Sequence, residues 1–156
     1  MVDGQMLLFF LIFPFIFALI VWFLGNKISD GIKDILAVFG TSVIFILALI
    51  IFTPVFINKT NLTFTSCIGL VWESKFRIDL YSGLLALLIS FLGWLGSIYS
   101  VDYIRQYEGR KKTYYPLLLF FIGSMNGAII SWDFITMFFF WELMSLFAFL
   151  LVIFDR

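Results

Sequence analysis

The chain has 156 residues, of which 63% are hydrophobic, 21% aromatic and 13% charged, with a mean hydropathy of +1.10. A soluble globular domain carries about 45–50% apolar and about 25% charged residues, so this composition excludes one and marks an integral membrane protein. Ten basic and ten acidic residues cancel, giving no electrostatic reason for a nucleic-acid partner, and the single cysteine with no histidine leaves no intrachain disulfide, no cysteine-cluster metal site and no imidazole switch.

The first apolar run lacks the basic flank and small-residue cleavage site of a secretory signal. It predicts a transmembrane helix over 6–24, with Pro14 tolerated mid-span. A polar turn, Gly25 to Asp34, leads to a second span over 35–57, with Thr53-Pro54 near its far end. The segment 58–78 differs in kind. Its alternation, as in Leu62-Thr63-Phe64-Thr65, predicts a short strand or hairpin; an irregular connection is the other reading. Asn58-Lys59-Thr60 and Asn61-Leu62-Thr63 are glycosylation sequons, meaningful if this loop is external. A third span covers 80–101, and its Gly83, Ser90, Gly93, Gly96 and Ser97 suit close approach of neighbouring helices. The charged loop 102–112 holds Arg105, Arg110, Lys111 and Lys112, expected to set topology and to meet anionic headgroups. A fourth span covers 113–131, with Tyr114 and Tyr115 at the interface. The turn at Trp132-Asp133 opens a fifth over 134–154.

The expectation is one all-α integral membrane domain over 1–156, with five transmembrane helices and a short external β-hairpin-like loop between helices 2 and 3. With the N-terminus outside, the inner segments hold seven basic residues (Lys27, Lys33, Arg105, Arg110, Lys111, Lys112, Arg156) and the outer ones three (Lys59, Lys75, Arg77). The positive-inside rule therefore predicts a multi-pass cell-membrane protein with its N-terminus outside and C-terminus cytoplasmic. That orientation also puts both sequons outside.

Glu142 is the ninth residue of the fifth span. At 1.5 Å per residue it lies roughly 12 Å in, near the middle of a hydrocarbon core about 30 Å thick. A charge there costs about 2.5–3.5 kcal/mol on insertion scales unless it is protonated, paired or wet. No Lys, Arg or His lies deep in any apolar segment, so its counter-ion is sought outside this chain. Glu142 reads either as a proton-binding or ion-pair site, or as a neutral acid hydrogen-bonded to a neighbouring helix. Ser124, Asn126 and Ser145 are the other deep polar groups, as relay neighbours or as interhelical hydrogen bonders. Asp79 and Asp133 sit at the outer surface, where each either lines a water entrance or caps the helix it precedes. For Asp79 an ion pair with Arg77 is an equal reading.

Phe76-Arg77-Ile78-Asp79-Leu80-Tyr81-Ser82-Gly83 resembles the F-x-x-D-x-x-S opening of the third helix of the antiporter-like subunits of respiratory complex I. That family includes the large subunits of Mrp-type sodium/proton antiporters and of membrane-bound energy-converting hydrogenases. Tyr103, Tyr114-Tyr115 and Phe120 to Met125 resemble its fourth helix, and Asp133 through Trp141-Glu142-Leu143-Met144 to Leu146 its fifth. The resemblance implies a subunit of a multisubunit ion-translocating complex, embedded in membrane lipid. Glu142 would be the fifth-helix glutamate of a proton or Na+ relay. Its partner would be a lysine on a helix supplied by another chain, together with the other helices of the family. It implies no cofactor on this chain and no catalytic chemistry of its own, but membership of an oxidoreductase or cation/proton antiporter complex. A non-transporting assembly subunit of the same complex is the alternative.

Overall fold

The computed structural model describes residues 4–58, 61–68, 72–106 and 110–153. The helices are α1 (Gly4–Leu24), α2 (Asp30–Asn58), α3 (Leu80–Tyr103), α4 (Lys111–Ile130) and α5 (Phe134–Ile153). Each is long and apolar enough to cross a membrane. Between α2 and α3 lies an antiparallel pair, β1 (Leu62–Ile68) and β2 (Trp72–Ile78). The expected fold class is the observed one: five membrane-length helices and a two-stranded hairpin between the second and third.

Local chemistry places most boundaries. α2 begins at Asp30, ahead of its apolar run, because Lys33 reaches back one turn to Asp30 at 2.8 Å and makes those charges helical. Asp79 opens α3 with a capping box: its carboxylate accepts from the backbone N–H of Ser82 at 2.9 Å, while the Asp79 N–H donates to Ser82 Oγ at 2.9 Å. In the hairpin, Leu62 pairs with Ile78 and Thr63 with Arg77. Ser74, Phe76 and Ile78 turn inward and Lys75 outward, the period-two alternation of a sheet with one covered face.

The helices pack around α4, which touches all four others, with α2 and α3 forming a second close pair. Hydrocarbon tails give apolar helices little reason to prefer each other, so close packing and interhelical hydrogen bonds carry the association. Glycines supply the close approaches. Phe17 of α1 fills the hollow at Gly40 of α2, where an added Cβ would lie 2.3 Å from its ring. Pro14 of α1 sits in the hollow at Gly123 of α4.

Candidate functional site

α5 starts where Asp133 accepts hydrogen bonds from two backbone amides, Thr136 N–H at 2.8 Å and Lys75 N–H at 3.0 Å. The first caps the helix and the second ties it to β2. Trp132 N–H to Lys75 C=O at 2.8 Å, Thr136 Oγ1 to Ser74 Oγ at 3.2 Å, and Arg77 stacked 4.2 Å over the Trp132 ring complete the junction. Burial pushes the Asp133 carboxyl up, but the Thr136 and Lys75 amides outweigh it, and the group is held below the usual carboxylate range. Asp79 is lowered too, first by the Ser82 amide, against partial desolvation. Both acids cap the helix they precede.

The rotation of α5 is set one turn deeper. Phe140 fills the hollow at Gly127 of α4, where an added Cβ would lie 2.4 Å from its ring. Further along, Phe147 stacks on Phe120 of α4 with centroids 4.9 Å apart. Thr136 and Phe140 are the buried residues of α5. Two residues past Phe140 is roughly 200° of helical turn at 3.6 residues per turn, so Glu142 faces away from α4 and is exposed. Ser145 shares that outward face.

The other two deep polar groups lie elsewhere. Ser124 is fully buried and donates to Phe120 C=O at 2.8 Å, one turn back on its own helix. Asn126 is turned toward α3, where its Nδ2 donates to Ser90 Oγ at 3.3 Å, and its Oδ1 is buried with no partner among the described residues. The structure therefore brings Glu142 and Ser145 together on the outside of α5 and puts Ser124 and Asn126 inside the bundle. Among the described residues no group of three or more His, Cys, Asp or Glu converges to hold a metal ion.

No family model matches the chain. The Na(+)/H(+) antiporter subunit A1 of Staphylococcus aureus (strain bovine RF122 / ET3-1) is 41% identical over 91 residues, which is 54% of this chain and 11% of that protein. The subunits A1 of strains JH9 and Newman give the same identity and coverage. Over that stretch the chain is similar to these antiporter subunits. The matched stretch spans about a tenth of the length of those relatives. With five membrane-length apolar helices, it is a multi-pass membrane protein.

One cluster was not anticipated. Lys111, expected among the topology-setting charges, is buried, and its Nζ donates to both Asp34 carboxylate oxygens, at 2.8 and 2.6 Å. Tyr115, fully buried one turn along α4, donates its hydroxyl to the same carboxylate. Lys111 and Tyr115 are four apart, which puts both on one helix face. That spacing was readable, but the acid that joins them lies on another helix, 77 residues away from Lys111 in sequence. A bidentate lysine and a tyrosine on one carboxylate make the α2–α4 contact an anchored charge pair rather than a surface one.

Proposed function

We propose that the chain is a membrane subunit of a multisubunit ion-translocating complex and contributes Glu142 as one half of an ion pair in a proton (or Na+) relay. The observation that carries this reading is the outward face of α5. Ile135, Phe138, Glu142, Ser145, Phe149 and Val152 are all exposed and recur at alternating spacings of three and four. Most of α5 is uncovered, and along this line the spacing is the one at which a partner helix packs, with its acid near mid-membrane. Lipid is a poor neighbour for a carboxylate. A lysine on a partner helix would favour the charged form, and its withdrawal would favour protonation, which is what a relay needs. The basic residues of this chain lie near helix ends and in connections, so the lysine belongs to a helix other than these five. In this reading the N-terminus faces outside, and Asp79 and Asp133, capping α3 and α5 at the outer surface, border the water from which ions come.

The apolar part of the same line favours a second reading, an assembly subunit that transports nothing. Glu142→Gln in the membrane complex separates them. The relay requires ion movement to fall at least tenfold while co-purifying subunits are unchanged. Loss of the subunits themselves would favour assembly, and transport at the original rate would overturn the relay.

A further inference from the structure

A connection between neighbouring helices of a bundle takes about 2–8 residues, yet positions 59–79 lie between α2 and α3. The extra length carries β2 to the start of α5. Ser131 bridges Phe76 in antiparallel register, and Trp132 N–H reaches Lys75 C=O at 2.8 Å. The lead-in to α5 is thus a short further segment of the sheet. Register in a sheet decides which way each side chain turns, since a slip of one residue reverses every face.

From there β2 touches α5 at three levels. Lys75 N–H donates to the Asp133 carboxylate at 3.0 Å, Ser74 Oγ lies 3.2 Å from Thr136 Oγ1, and the Phe76 ring meets Phe140 edge-on with centroids 6.2 Å apart. Thr136 and Phe140 are four apart and share one helix face. Glu142 lies roughly 9 Å deeper than Thr136 and roughly 120° round the helix from it. Toward α1 little resists a roll of α5. Beyond a ring contact of Phe15 with Phe140, a cleft of about 720 Å3 separates the two helices, lined by Leu8 and Leu11 of α1 and by Phe139 and Leu143 of α5. Ser74 and Phe76 edge that same cleft, so β2 grips α5 on the side where α1 stands off.

We infer that β2 is the positioning element of Glu142: Ser74 and Phe76 hold Thr136 and Phe140, and so fix the rotation of α5 that points the acid away from the bundle toward a partner helix. α4 supplies the hollow at Gly127, and β2 keeps Phe140 in it. The grip is made at the hairpin end of the bundle, while the group it aims lies deep in the span. The inference rests on the relay reading for the use of that rotation, not for its existence.

The test is oriented-sample solid-state NMR of the whole chain in lipid bilayers, with 15N at Thr136, Met137, Trp141 and Met144, whose amide orientations together report the rotation of α5. Ser74→Ala removes the β2 hydroxyl and leaves the Asp133 cap in place. Phe76→Leu keeps an apolar side chain but no ring edge. Together they should turn α5 by roughly 20° or more, a fifth of the angle between successive residues, and each alone should turn it part of the way. A lowered unfolding temperature with α5 unturned would overturn the inference, because β2 would then stabilise without aiming anything. The two readings fail separately. Unchanged transport in Glu142→Gln removes the relay and leaves these spectra as they are, whereas an unturned α5 removes the positioning role and leaves the relay standing.

Discussion

Asp79 and Asp133 stand in the same relation to a helix, one residue ahead of its first turn, and both carboxylates accept backbone amides. Replacing an N-cap acid by alanine costs about 0.5–2 kcal/mol, so Asp79→Ala and Asp133→Ala should each lower stability by that order in thermal unfolding of the solubilised chain. Both groups titrate below the usual carboxylate range when folded. As pH falls, the unfolded chain takes up protons first, so their stabilisation is complete above the ordinary carboxylate range and is lost on the way down through the lowered folded values. Each alanine variant should therefore flatten the acid-side decline. An acid-side curve parallel to that of the unaltered chain would show that the cap hydrogen bonds do not hold the carboxylates charged. The capping role was legible because an acid directly before an apolar run has few other uses in forming a helix. The second bond of Asp133, to Lys75, was not legible, since it crosses 58 positions of sequence.

At the scale of the element, the five helices were readable from apolar run length and the hairpin from alternation, because both depend on local periodicity. The setting of α5 about its own axis was not. Its run is apolar on every side, so no stripe says which face turns inward, and the direction of Glu142 follows from contacts across helices, among them the insertion of Phe140 at Gly127. That makes Gly127→Ala a sharp variant. Overpacking of this kind costs about 1–3 kcal/mol, against at most about 1 kcal/mol gained from replacing a helical glycine. A net loss is expected in thermal unfolding, and Phe140→Ala in the same chain should restore part of it, giving a favourable coupling in a double-mutant cycle. Gly96→Ala is the control: nothing lies within 4 Å of its added Cβ, so it should be neutral or stabilising. If Gly127→Ala behaves like Gly96→Ala, the insertion does not orient α5.

At the scale of the molecule, the Asp34, Lys111 and Tyr115 cluster ties the start of α2 to the start of α4, elements distant in sequence. Removing one partner of a buried pair costs about 3–5 kcal/mol, because the other charge is left behind, whereas removing both can be close to neutral. Lys111→Met should therefore destabilise the bundle strongly, and Asp34→Asn added to it should recover most of the loss in the same unfolding measurement. Additive losses would mean that the two charges act separately. The burial of Lys111 was hidden in the sequence by its neighbours, since three other basic residues within seven positions make a run that reads as a solvated loop.

The helix that every other helix touches is also the least apolar of the five and the most buried, while α1 and α2 are the most apolar. A helix of that kind has the weakest claim of its own on a bilayer; what holds it there is the surface its neighbours offer. Synthesis runs from the N-terminus, so α1, α2 and α3 are made before it. The helix that leans on α1, α2 and α3 is thus made after all three.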